Sequence, residues 1–214
     1  MVEKLFVLGC SGSGKSTAAR YLARLVGSSG CSVARITDYG YLYEKFKAHT
    51  GDEKFASACY DGFEVYDLTV YDTALKWLEG EVIQRSKKNE MVIIEFARAD
   101  YREALKLFND GFLQNAYFLY LTSRPDACID RIHERVVNRT TLDDHFVPDN
   151  IVTSYRHQDN RSYIANDLKK DFAVSDEQIG IISNNESLEK FIEHLEQYFE
   201  TIILPKLPIP MEMG

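Results

Sequence analysis

Residues 9–16, GCSGSGKS, constrain this chain more than any other feature. They follow a short apolar run, 4–8 (KLFVL), and precede an Ala/Leu-rich stretch that reads as a helix. The spacing satisfies G-x-x-x-x-G-K-[ST] in full, and Thr17 follows. Gly9, Gly12 and Gly14 let the backbone curl until consecutive N–H groups face a phosphate, with Ser11 and Ser13 between them. A helix starting near Gly14 adds the positive end of its dipole. In this pattern Lys15 reaches the β- and γ-phosphates, and the Ser16 hydroxyl is placed to ligate Mg²⁺. The cofactors implied are ATP and Mg²⁺ (Mg2+). A glycine-rich turn that binds nothing is the competing reading, and the strand before and helix after weigh against it.

Further apolar and β-branched runs at 32–37 (SVARIT), 91–95 (MVIIE), 116–121 (AYFLYL) and 179–182 (IGII) read as strands. Helical patterns lie near 14–26, 40–49, 63–86, 100–109, 125–138, 149–168 and 187–203, with Pro125, Pro148 and Ser187 at plausible helix starts. Strands alternating with helices, without clean period-2 patterning, indicate an α/β fold: a three-layer doubly wound sheet of five parallel strands, with the glycine loop after the first. At 214 residues one such domain is expected over 1–203, leaving 204–214 (LPKLPIPMEMG) as a proline-punctuated tail. That tail is either extended or packed on a neighbour, as in a homodimer.

No apolar stretch approaches the roughly 20 residues that cross a bilayer. The opening Met1-Val2-Glu3-Lys4 has no small-residue cleavage site behind it, so no signal peptide is expected. The four cysteines are scattered, with no zinc spacing, which fits a reduced, cytoplasmic setting. A formal charge of −8 argues against broad nucleic-acid binding.

The loop alone does not separate GTPases, motor-type ATPases and kinases. A GTPase wants N-K-x-D late in the chain and D-x-x-G after the third strand; here Asn184-Asn185-Glu186 and Glu95-Phe96-Ala97-Arg98 stand there instead. A motor-type ATPase wants a larger core and an apolar run ending in Asp or Asp-Glu, whereas this run ends in the lone Glu95. Glu95 suits orientation of Mg²⁺ or binding of an acceptor. Asp38, at the end of the second strand, falls where ligands sit in doubly wound sheets. There it can take an acceptor's proton or hold a Mg²⁺-bound water, or it can merely cap the next helix. Arg131, Arg135 and Arg139, at i, i+4 and i+8, stack three guanidiniums along one helical face; ATP phosphates would compensate them, and a solvated face is the alternative.

With these residues in place the chain resembles the P-loop small-molecule kinases. YFLYLTSRPDACIDRIHERVVNR looks like the fourth-strand and lid-helix segment of deoxynucleoside kinases, which implies that Arg131 and Arg135 clasp ATP phosphates within a helical lid, about 131–161. HFVPDNIVTSYR resembles a segment of zeta-toxin-like kinases, in which Asp38 would match the aspartate that activates the acceptor hydroxyl. Departures leave the acceptor open: Asp38 and Glu95-Phe96-Ala97 differ from the deoxynucleoside kinase pattern, and Thr153-Ser154 stand where the zeta-like group has paired arginines. IISNNESLEKF resembles the loop laid against adenine, where Asn184 and Asn185 serve equally well as turn formers.

Residues 55–85 should form the acceptor side. Their aromatics, with Tyr39, Tyr41 and Tyr43 upstream, suit a planar base or sugar face, although core packing is the commoner use of any one of them. Asp61, Glu64, Asp67 and Asp72 suit a neutral hydroxylated acceptor, whereas Arg98 and Arg102 suit an anionic one. The leading expectation is a kinase that moves the γ-phosphoryl group of ATP to a small-molecule acceptor, nucleoside- or nucleotide-like. Lys15, Arg131, Arg135 and Asp38 would be catalytic, Ser16 and Asp38 near the metal, and Tyr41, Glu95 and Arg98 at the acceptor. A regulatory ATPase module without an acceptor, and a 5′-hydroxyl polynucleotide kinase, are the alternatives.

Overall fold

The computed structural model describes residues 4–48, 54–60, 62–86 and 90–207. In chain order the first half carries β1 (Lys4–Gly9), α1 (Lys15–Ser28), β2 (Val33–Thr37), α2 (Asp38–Ala48), β3 (Phe55–Ser57), β4 (Phe63–Val65), α3 (Thr69–Ser86) and β5 (Met91–Glu95). The second half carries α4 (Tyr101–Leu105), α5 (Asp110–Leu113), β6 (Ala116–Thr122), α6 (Pro125–Val137), α7 (Asp149–Ser154), α8 (Asn160–Ser162), α9 (Leu168–Phe172), β7 (Ile179–Ser183) and α10 (Leu188–Tyr198). Five of the strands form one parallel sheet in the order β2-β5-β1-β6-β7.

β1 is buried along its length because it has a strand on each side and helices over each face. Its side chains alternate between the two layers. Leu5 and Val7 pack with Ala18, Leu22 and Val26 of α1 and Leu195 of α10. Phe6 and Leu8 pack with Leu75, Leu78 and Val82 of α3 and Phe108, where Phe6 stacks on Phe118 at 5.1 Å. Each large apolar side chain withdrawn from water in these layers contributes about 1.5–3 kcal/mol. The strand order reverses at β1: the chain passes to the left edge for β2 and returns through β5 before crossing to β6. The crevice above the C-terminal end of β1 is therefore the natural ligand position. Among the described residues no helix is long and apolar enough to cross a membrane.

The expected three-layer α/β sheet is present, with three local departures. Helix was expected from residue 63, but Phe63–Val65 is β4, paired antiparallel with β3, and α3 begins at Thr69. Phe-Glu-Val alternates with period two, which puts Phe63 and Val65 on one packed face with Phe55. Asp67 then accepts from the Thr69 N–H at 3.0 Å and starts the helix. The helix expected over 149–168 is interrupted after α7 by a 3₁₀ turn, Tyr155–His157, and restarts where Asp159 accepts from the Ser162 N–H. The helix expected over 100–109 is shortened to α4. Pro125 stands in the first turn of α6, and Ser187 caps α10, as expected. In the tail, residues 204–206 form a 3₁₀ turn and Leu207 packs with Ile203; residues 208–214 lie outside the described residues.

Candidate active site

The loop after β1 is held open by contacts on its outer side. Gly12 has φ +80° and Gly14 φ +99°. A Cβ on Gly12 would lie 2.4 Å from the Cys128 carbonyl oxygen of α6, and one on Gly14 2.4 Å from Asn184 Nδ2. Only glycine fits this close approach at positive φ. The Ser13 N–H closes the turn on the Cys10 carbonyl at 3.2 Å. α1 then begins at Lys15 without a side-chain cap, so its first amides are left for another acceptor.

Residues 14–17 line a cavity of about 1200 Å³ together with Asp38, Glu95 and Arg98. The Lys15 ammonium donates to the Cys10 carbonyl at 2.8 Å, and burial lowers its pKa. The Ser16 hydroxyl lies close enough to the Glu95 carboxyl to help lower its pKa. Glu95 is 3 % exposed, and burial pushes its carboxyl up against the opposing pull of Arg35. Arg35 meets Glu95 through Nε at 3.0 Å and Nη2 at 2.7 Å. Its Nη2 also reaches Asp143 at 3.1 Å, which Arg20 holds at 2.7 Å. Glu95 thus starts a carboxylate–guanidinium chain that ties the sheet to the segment read as a lid.

Asp38 is 6 % exposed and takes a 2.6 Å bond from Arg98 Nη1. It does not cap α2: Thr37 Oγ1 accepts the Tyr39 N–H instead. Arg98 is held by the carbonyls of Ala97 (2.7 Å) and Tyr71 (3.1 Å), with its guanidinium 4.7 Å from the Tyr71 ring centre. β2 and β5 end beside each other, Thr37 opposite Glu95, so the chain emerging from each presents Asp38 and Arg98 to the same crevice.

Of the three arginines expected on one face, Arg131 and Arg135 both line the cavity and Arg139 does not. Arg131 donates to the carbonyls of Gly12 (3.3 Å) and Asn184 (2.8 Å) and to Ser123 Oγ (2.9 Å), so its hydrogen bonds are made to the loop and its neighbours. Arg135 lines the cavity and donates through Nη2 to the His145 carbonyl, while its buried Nε has no partner. Arg139 lies beyond the end of α6, where its Nη1 meets the Tyr60 carbonyl at 3.1 Å. Tyr41 is turned away from the cavity and stacks on Trp77 at 5.1 Å. Successive helical residues project about 100° apart, so Tyr39 takes the place at the cavity that Tyr41 was expected to hold. Tyr39 stacks on His145 at 3.7 Å and on Phe63 at 5.5 Å, and burial raises its pKa to about 12. Glu64 and Asp72 line the same cavity; Asp61 lies outside the described residues.

Asp143 carried no local motif; its place in the site, like that of His145, depends on where the segment 131–161 folds back. Tyr155 also lines the cavity and lies 3.5 Å from Ser11 Oγ. The Tyr101 hydroxyl accepts the Gly9 N–H at 2.8 Å and lies within 3.0 Å of the carbonyls of Gly9 and Phe96. Tyr101's own N–H is taken by Asn160 Oδ1 at 2.9 Å. Arg35 did leave a signal: a cation inside a strand otherwise read as buried requires a carboxylate partner. Among the described residues no three His, Cys, Asp or Glu side chains group to hold a metal alone.

Fold and loop together define a P-loop protein built on a five-stranded parallel sheet. The chain belongs to the AAA-domain family, whose model matches residues 5–151. No curated protein sequence matches it. Among solved structures it is similar to an unliganded sugar kinase from Janibacter sp. HTCC2649 (17% identity, 94% of this chain and 96% of that one, TM-score 0.54). It is also similar to the Acinetobacter baumannii shikimate kinase in complex with shikimate (17%, 97% of each chain, TM-score 0.52). A third is the Mycobacterium tuberculosis APS kinase CysC in complex with AMPPNP and APS (13%, 93% and 98%, TM-score 0.57). The shared property is the P-loop kinase fold.

Proposed function

We propose that the chain is an ATP- and Mg²⁺-dependent phosphotransferase acting on a hydroxyl or phosphate of a small metabolite, nucleoside- or nucleotide-like. The observation that carries this reading is the meeting of Lys15, Ser16 and Glu95 with Asp38 and Arg98 on one cavity. The positive-φ glycines that curl the loop, and the uncapped first-turn amides, suit a polyphosphate. When bound, magnesium–ATP supplies the phosphoryl group to be moved.

The chain's own residues divide the remaining tasks. Lys15 and Arg135 bring positive charge to the phosphate side, where loose phosphoryl transfer gathers negative charge. Ser16 would offer the cation one oxygen, with the Glu95 carboxyl near that hydroxyl; few protein ligands are needed when phosphates supply the rest. Asp38 would receive the acceptor's proton, or hold a water of the cation, and Arg98 fixes it in position while remaining able to meet an anionic acceptor. Tyr39, Tyr71, Phe63 and His145 wall the cavity with flat faces suited to a base or sugar. Arg131 acts on the loop through Gly12.

The test is γ-labelled ATP with a panel of nucleosides, nucleotides, sugars, sugar acids, shikimate, APS and a 5′-hydroxyl oligonucleotide. Transfer to at least one small acceptor, absent in Lys15→Ala, is expected; no transfer above that control refutes the reading. A regulatory ATPase is favoured by one observation, that Asp38 already has Arg98 as its partner. Tight ATP binding in calorimetry that no acceptor converts to turnover would select it.

A further inference from the structure

Cys10, the second residue of the phosphate loop, and Cys128, on α6, hold their sulfur atoms 3.4 Å apart. Both are free thiols; Cys10 is partly exposed and Cys128 fully buried. Sequence alone showed four scattered cysteines, and these two are 118 residues apart. Packing enforces the approach. The Gly12 backbone lies so close to Cys128 that a Cβ there would touch three of its main-chain atoms within 2.9 Å. Arg131 ties α6 to the Gly12 carbonyl, while Ile132, Val136 and Val152 pack around Cys128.

The two thiols differ in character. A hydrogen bond from Cys128 lowers the Cys10 pKa to about 7, against burial and with help from Lys15 and Arg131. The same contact, with burial, pushes the Cys128 thiol up. An accessible thiolate beside a protonated, sheltered thiol is the arrangement of an attacking and a resolving cysteine.

We propose that Cys10 and Cys128 form a reversible disulfide that switches the phosphate loop, set by a peroxide and reset by a dithiol. The Cys10 thiolate attacks the peroxide O–O bond, takes one oxygen as sulfenic acid and releases hydroxide, which takes a proton to become water. The Cys128 sulfur then displaces that oxygen; the S–S bond forms, and the Cys128 proton leaves with the hydroxyl as a second water. The two thiols lose two electrons, and the peroxide gains them. A disulfide measures about 2.05 Å, so the sulfurs close by roughly 1.3 Å. That pull acts on the residue whose carbonyl holds both the Lys15 ammonium and the Ser13 N–H. The strapped loop no longer reshapes around a triphosphate.

The test treats the full chain with hydrogen peroxide, blocks remaining thiols with N-ethylmaleimide and maps the peptides. A Cys10–Cys128 link is expected to form before modification of the exposed Cys59. Calorimetry should then show ATP uptake weakened by at least about tenfold, the loss of one charge-assisted hydrogen bond, with recovery in dithiothreitol. Cys128→Ser, whose hydroxyl can still donate to Cys10, should form no link, and its Cys10 sulfenic acid should be trapped by dimedone. No Cys10–Cys128 link at a dose that oxidises Cys59 overturns the proposal, and so does a link that leaves ATP uptake unchanged. The mapping stands whether or not the chain transfers phosphate.

Discussion

Replacing Arg98 with methionine isolates the buried ion pair at the acceptor end of the site. Arg98→Met keeps a long apolar stem but removes the guanidinium from Asp38 (2.6 Å) and from the carbonyls of Ala97 and Tyr71. The two side chains are only 13% and 9% exposed, so water cannot replace the lost partner cheaply. Stranding one member of such a pair costs about 3–5 kcal/mol. At about 2–4 °C per kcal/mol for a chain of this size, the melting temperature should fall by about 6–20 °C. Asp38→Asn should cost less, about 1–2 kcal/mol, because the amide oxygen still accepts from Arg98 and the guanidinium keeps its carbonyl partners. Adding Asp38→Asn to Arg98→Met removes the stranded charge, so the double variant should be more stable than Arg98→Met alone. Urea unfolding followed by circular dichroism measures all three variants. A loss under about 1 kcal/mol in Arg98→Met, or simple additivity in the double variant, would refute the claim that the carboxylate depends on this guanidinium.

Gly12→Ala should lose at least about 2 kcal/mol, from the positive φ and the close Cys128 backbone together, seen as a lower urea midpoint with weaker ATP uptake. Lys15→Met should abolish transfer of labelled phosphate yet raise the melting temperature of the ligand-free chain. Burial lowers the Lys15 pKa, so the unfolded chain binds that proton more tightly than the folded one. Stability should therefore rise with pH between the lowered value and the ordinary lysine value of 10.5, and Lys15→Met should flatten that slope. Tyr101→Phe strips the Gly9 N–H of its buried acceptor; a cost of about 1–3 kcal/mol in thermal unfolding, with a raised KM for ATP, is expected.

How much of the site could be read in advance depended on how far apart its partners lie along the chain. Lys15 and Ser16 were legible because the loop that aims them is contiguous, and glycine's steric freedom is a local property. Asp38 and Glu95 were legible as strand-end carboxylates and Arg98 as a candidate at the acceptor, but the pairing of each acid with its arginine was not. Arg98 and Arg35 are each 60 residues from the acid they meet. Tyr39 rather than Tyr41 lines the cavity because α2 begins at Asp38 itself, and a shift of two residues turns a helical side chain by about 200°. Arg139 left the expected row because the helix stops at Val137. β3 and β4, three residues each, were too short to register against a neighbouring helical pattern.

The amino-acid order by itself determined the strand, phosphate loop and helix at the start, and the alternation that demands a covered parallel sheet. Those follow from φ/ψ sterics and from periodicities spanning a few residues. Only the tertiary structure decided the strand order β2-β5-β1-β6-β7, which brings Asp38 and Glu95 beside Lys15. It alone paired Cys10 with Cys128 and set Arg131 on the Gly12 carbonyl, 119 residues away. Such pairings are chosen by which packed layers exclude water, a collective outcome that no single stretch of the chain encodes.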